Sequence, residues 1–228
     1  MPVAFNVMKD FGGPVVLVLG LMSFVALSVT LFKIVQFAQK KVGRFGVVQK
    51  ALDRWSDSSL QELSAKLRGR EEPLAAVLIY AVVKLERGKS GISQIKEGTI
   101  GIAQQQLHDL AKYIRAIDVI AQTAPLLGLF GTVLGMIEAF GKLEEAGATV
   151  DPSQLAGGIW VALLTTAVGL AVAIPFSIVV SWLEGRIENE RVAMETTMTR
   201  FFAEVAEKIP EHSLVNTGVP SSQTAGQQ

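Results

Sequence analysis

The side chains of this chain that could do chemistry in an apolar setting are hydroxyls. Thr123 and Thr132 fall in one apolar stretch, and Thr165, Thr166, Ser177 and Ser181 in another. The bland role of such a group is to bond the carbonyl one turn back in its own helix. Thr123, Ser177 and Ser181 read that way. Thr132 sits inside the Gly131–Gly135 pair and Thr166 on a face of small residues, both near the middle of their stretches. For these two, contact with a pore or a partner is as open as the back-bond. A hydroxyl can hold water or donate one hydrogen bond, but it does not ionise at working pH. No Asp or Glu lies deep in either stretch, and Glu138 stands near an end. A rapid proton relay normally uses a titratable side chain. Were protons to cross along these segments, the carboxylate carrying them would have to come from another polypeptide.

Other chemistry is poorly provided for. There is no cysteine, so disulfides, thiolate metal sites and cysteine nucleophiles are excluded. His108 and His212 are far apart and read as ordinary surface histidines. GxSxG, P-loop, HExxH and GxGxxG patterns are absent. The chain reads as a non-enzyme, with no catalytic, metal or cofactor-binding residues expected. Formal net charge is zero, which gives no bulk pull on nucleic acid.

Helices must position the hydroxyls. Half of the 228 residues are apolar, and three long apolar runs mark an integral membrane protein. Lipid tails are as apolar as leucine, so membrane helices associate through small residues that let backbones approach. Gly128, Gly131 and Gly135 supply such a face in the second run. Gly158, Ala162, Thr166, Gly169 and Ala173 follow at steps of four, four, three and four in the third. The expected class is an all-α membrane protein with three transmembrane helices, the second and third extending as long helices into the cytoplasm.

Taken in order, residues 1–13 are a short outer segment with an interfacial turn, and the first span runs over 14–37. It reads as an uncleaved anchor, because its basic cluster, Lys40, Lys41 and Arg44, follows the apolar run. Lys33, about a turn from the end, is expected to snorkel to that interface. Residues 38–116 form a helical connection. Fourteen of the chain's 21 Lys and Arg fall in 38–115, which puts this side in the cytoplasm and the amino terminus outside. Ser59 with Glu62 predicts a capped helix start. Pro73–Leu85 predicts an amphipathic helix broken by Gly88–Gly91. From Ile92 the spacing predicts one unbroken helix entering the membrane near Ile117.

The second span covers 117–140, an outer loop 141–154, and the third span 155–183. Pro125 and Pro175 suggest local bends. Beyond it, 184–209 carry a seam of Ile187, Met194, Met198, Phe201, Val205 and Ile209, with Arg191 the polar exception, facing a helical partner in this chain or a neighbour. Residues 210–228, rich in Ser, Thr, Gly and Gln, predict a disordered tail.

Residues 123–140, TAPLLGLFGTVLGMIEAF, and 158–175, GIWVALLTTAVGLAVAIP, resemble the second- and third-span signatures of the ExbB/TolQ/MotA ion-channel family, nearer ExbB and TolQ than flagellar MotA. The resemblance runs to about residue 209. It implies a homo-oligomeric ring, usually a pentamer, in the bacterial inner membrane. The ring would enclose a single-span ExbD- or TolR-like partner whose membrane aspartate binds the proton. Force would then pass to a TonB- or TolA-like protein, and Thr132 and Thr166 match the family's pore-lining threonines. One departure stands out. The family commonly has glutamate in a GIxEAL pattern, where this chain has Val161. A motility stator, gliding or flagellar and using protons or sodium, and a non-conducting membrane scaffold are the alternative readings.

Overall fold

The computed structural model describes residues 13–55, 59–88, 90–146 and 152–208. The expected amino-terminal turn, the short loop around 147–151, Ile209 and the carboxyl-terminal tail lie outside them. Among the described residues all regular structure is helical: α1 (Gly13–Gln39), α2 (Gly46–Asp53), α3 (Leu60–Leu67), α4 (Pro73–Arg87), α5 (Ile92–Ala111), α6 (Ile114–Ala146) and α7 (Pro152–Lys208). The helices sort into two compact units. One comprises residues up to Gln36 with Ala111–Gly185, and the other Phe37–Leu110 with Arg186 onward.

The membrane unit contains the apolar parts of α1, α6 and α7. Three helical stretches are long and apolar enough to cross a bilayer. The 27 residues of α1 alone reach about 40 Å at 1.5 Å per residue, more than the roughly 30 Å of hydrocarbon to be crossed. At most 28% of each stretch's most apolar window is buried within the chain. Leu21, Phe24, Leu126, Leu163, Ile174 and Ile178 are all more than half exposed. Apolar surface on this scale requires lipid or further protein around it. Inside, Val15 and Leu19 of α1 pack on Ala124 of α6 and Ala173 of α7.

Two sequence expectations are corrected in this unit. The helix running from Ile92 is not continuous: Lys112 and Tyr113 separate α5 from α6, and Tyr113 adopts a left-handed φ of 70°. Apolar spacing is blind to one left-handed residue, because the pattern resumes in phase on the far side. Lys33 does not reach outward either. Its side chain is fully buried, and Nζ donates to Gln36 Oε1 at 2.8 Å. An amide acceptor on the same helix face thus receives the ammonium inside the fold. The second helix also continues past the expected end of its span, to Ala146, and α6 and α7 run through Pro125 and Pro175 without interruption.

The polar unit is a helical cluster around α4. Pro73 opens α4, where a missing N–H costs nothing, and Gly88 closes it at φ 60°. Leu74, Val77, Leu78, Ala81, Val82 and Leu85 of α4 are buried in a core shared with α2, α3, α5 and the end of α7. The seam on α7 finds its partner here: Met194, Phe201 and Val205 are fully buried in that core, while Ile187 is half-buried and Arg191 exposed. Trp55 stacks at 5.2 Å on Phe201. Ser59 caps α3 by accepting the Glu62 N–H at 3.3 Å, as its spacing predicts. Gly98 of α5 makes room for Tyr80, whose hydroxyl would lie 2.4 Å from a Cβ there.

Candidate functional site

The hydroxyl-bearing helices α6 and α7 pack antiparallel in the membrane unit, and small residues set how closely. A Cβ placed on Gly169 would lie 2.6 Å from the Ala124 carbonyl oxygen and 3.1 Å from Gly128 Cα. A Cβ on Gly128 would lie 2.9 Å from the Thr165 carbonyl oxygen and 3.1 Å from Thr166 Cα. Further along, Gly135 meets Ala162 and Gly158 meets Ala139. Ala162 is 1% exposed and Ala173 5%. All seven small residues singled out in the sequence therefore make contacts between helices of the membrane unit, five of them buried and Gly135 and Gly158 half-buried, and six of them line the α6–α7 contact. Ala173 packs beside Ala124 and the first helix.

Glycine is needed here for approach, since these are helical positions with ordinary φ. Backbone against backbone leaves no flexible atom to yield, so any side chain would push the helices apart.

The closeness creates one polar link that the spacing of the sequence did not single out. Thr165 is 1% exposed, and its Oγ1 lies 2.6 Å from Ala162 O on its own helix and 3.1 Å from Gly128 O on α6. One hydroxyl proton is shared between two carbonyls. A Cβ on Gly131 would strike this hydroxyl at 2.7 Å. The signal available in the sequence was the pairing of a threonine with a facing glycine, which requires knowing the register.

Thr132 and Thr166 are differently placed. Thr132 is half-buried, and its Oγ1 donates to Leu129 O at 2.6 Å. It lies at one end of an open groove with Met136, Ile137, Phe140 and Glu144. Thr166 is level with Gly128, about one turn away from Thr132 in the antiparallel register. Its Oγ1 is buried without a hydrogen-bond partner. A buried hydroxyl left unpaired costs roughly 1–3 kcal/mol, so this atom is poised to take a partner. The remaining hydroxyls behave blandly: Thr123 donates to Val119 O at 2.7 Å and Ser177 to Ala173 O at 2.9 Å.

Ionisable groups stand at the margins. Between Asp118 and Glu138 the second span has none, and residues 155–183 have none. Glu138 pairs with Lys142 at 2.7 Å on an exposed stretch of α6, an ion pair of little energetic weight. The site offers hydroxyls, backbone and a thin apolar wall, and no proton carrier.

Comparison with known proteins bears on this arrangement. The model of a family described as the MotA/TolQ/ExbB proton channel family matches residues 70–196, from just before α4 to well into α7. The chain is similar to the biopolymer transport protein exbB1 of Vibrio cholerae, 34% identical over 131 residues and covering 57% of each protein. It is similar to the biopolymer transport protein ExbB of Aquifex aeolicus, 36% identical over 87 residues, 38% of this chain and 58% of that one. The ExbB of Neisseria meningitidis is 28% identical over 166 residues, 68% of this chain and 74% of its own. The chain thus spans little more than half the length of the first two of these relatives.

Proposed function

Because this chain belongs to the MotA/TolQ/ExbB proton channel family, we propose that it is the ring-forming subunit of a proton-driven motor of ExbB/TolQ type in the bacterial inner membrane. Copies of the chain, five in this reading, surround a single-span ExbD- or TolR-like partner. The partner's membrane aspartate takes and gives the proton, and its outer part passes force to a TonB- or TolA-like protein. The amino terminus lies in the periplasm and the carboxyl terminus in the cytoplasm, in keeping with the basic cluster after the first span.

The observation that carries this reading is the pairing of two membrane helices whose middle contains hydroxyls and no carboxylate. Thr166, buried with an unpaired hydroxyl, is the group best suited to receive a guest side chain or a water. Thr132, whose proton is already spent on Leu129, contributes as an acceptor. The extensive exposed apolar surface of the spans supports neighbours around each copy.

The test is proton flux into liposomes holding the chain with and without its single-span partner. Flux should require both proteins, and Thr166→Val should lower it at least tenfold while the complex still assembles. Flux unaffected by both Thr132→Val and Thr166→Val would remove these residues from the path. Val161, at the position where the family commonly has glutamate, supports a second reading, a non-conducting scaffold. Absence of flux under every coupling condition would favour it.

A further inference from the structure

The turn that follows the first membrane helix carries three cations at a depth the helix itself fixes. On α1 the exposed large apolar side chains begin at Leu17 and end at Val35. Along the helix that distance is about 27 Å, close to the roughly 30 Å of bilayer hydrocarbon. Lys40 comes a further turn and a half on, about 7 Å beyond Val35. The polar layer outside the hydrocarbon is roughly 5–8 Å deep on each side. Lys40, Lys41 and Arg44 therefore stand at the level of lipid phosphates.

Their charge is available. No Asp or Glu occurs between Asp10 and Asp53. Among the described residues none of the three cations enters an ion pair. Lys41 and Arg44 are exposed and Lys40 is half-buried. Glu190 is the acid that reaches this turn, and its carboxylate is committed to the Gly43 N–H at 2.9 Å, to the Leu74 N–H and to Arg186.

The backbone that carries the cations is tied from both sides. The Val42 N–H donates to Phe37 O at 3.2 Å and the Arg44 N–H to Lys41 O at 3.1 Å. The Val42 side chain is buried, and its carbonyl accepts Arg186 Nη2 at 2.9 Å. The Arg186 guanidinium lies against Gly43, where a Cβ would sit 3.0 Å from Nη1. Gly43 and Lys41 are both left-handed, at φ 85° and 48°. Glycine or asparagine usually fills a left-handed position after a helix, because a Cβ is disfavoured there. Here a lysine is held in that conformation with its side chain exposed.

We propose that Lys40, Lys41 and Arg44 form a seat for anionic lipid headgroups in the leaflet that this end of α1 reaches, on a backbone fixed by Glu190 and Arg186. Each cation near an anionic lipid surface strengthens the attraction roughly fivefold. Zwitterionic headgroups carry their own cation beside the phosphate and gain little from the seat.

The test titrates the full chain, in a neutral detergent, with phosphatidylglycerol or with phosphatidylcholine while melting is followed. Phosphatidylglycerol should raise the midpoint of the parent, and phosphatidylcholine should not. The phosphatidylglycerol effect should weaken as salt rises from about 0.1 M to about 0.5 M. Lys41→Gly removes one charge and relieves the left-handed residue. Without lipid it should melt no lower than the parent, yet it should need roughly fivefold more phosphatidylglycerol for half its shift. Lys40→Gln, Lys41→Gln and Arg44→Gln together should need on the order of a hundredfold more. Lys66→Gln, Arg68→Gln and Arg87→Gln together remove the same charge from exposed positions elsewhere in the polar unit, and should respond as the parent does. An equal response to phosphatidylcholine would assign the stabilisation to acyl chains, and the proposal fails. It fails too if inorganic phosphate reproduces the shift, or if Lys41→Gly responds at the parent's lipid concentration. Loss of the response in the Lys66, Arg68 and Arg87 variant would make net charge the cause and overturn the seat.

Discussion

Gly169→Ala is the sharpest test of how the membrane helices are held. The added methyl would sit 2.6 Å from the Ala124 carbonyl oxygen and 3.1 Å from Gly128 Cα, both backbone atoms that cannot rotate away. Restoring even 3.0 Å to that oxygen parts α6 and α7 by about 0.4 Å, and the Thr165–Gly128 contact of 3.1 Å lengthens to about 3.5 Å, the edge of hydrogen bonding. Overpacking costs about 1–3 kcal/mol, and weakening the hydroxyl link adds up to about 1 kcal/mol. Against this, alanine gains up to about 1 kcal/mol over glycine in any helix.

Gly185→Ala isolates that last term, because no atom lies within 4 Å of a Cβ there. The two variants should differ by about 1–4 kcal/mol. That corresponds to an apparent Tm difference of roughly 2–16 °C for detergent-solubilised protein. If Gly169→Ala melts as high as Gly185→Ala, backbone contact between the helices is not what stabilises the membrane unit, and the account of its small residues is wrong.

Thr165→Val should destabilise the protein by about 0.5–1.5 kcal/mol, read as a lower melting midpoint, and Thr165→Ser should recover most of it, since only the hydroxyl reaches Gly128 O. Ser59→Ala should cost about 1 kcal/mol and show first as faster local proteolysis around α3, whose start it caps. Gly98→Ala should be tolerated better than Gly169→Ala despite its 2.4 Å contact, because the atom it meets is the movable tip of Tyr80; equal losses in melting would refute that distinction. Thr166→Val should leave assembly with the single-span partner intact while depressing proton flux, read side by side in the same liposome preparation.

How much of this was readable in advance follows from the range of the forces involved. Spans, small-residue faces, the Ser59 cap and the α4 boundaries are local: each depends on a few consecutive side chains and the 3.6-residue repeat, so composition and spacing announce them. The resemblance of residues 123–140 and 158–175 to a channel family was legible for the same reason, as two compact motifs. Register, burial and charge partners are not local. Thr165 rather than its neighbour bridges the helices because of which glycine happens to stand opposite. Lys33, whose position near a helix end suggested an outward reach, is instead fully buried and donates to the half-buried Gln36. Tyr113 interrupts a run whose periodicity looked whole, since one left-handed residue leaves no mark on apolar spacing. Glu72 and Glu190 are separated by more than a hundred residues and look like solvated charges until α4 and α7 come together. The chain by itself determined that helices would enter a membrane and could lie close; only the folded arrangement decided which hydroxyl is satisfied, which is left waiting, and which acids are shut away from water, because those depend on neighbours that sequence distance conceals.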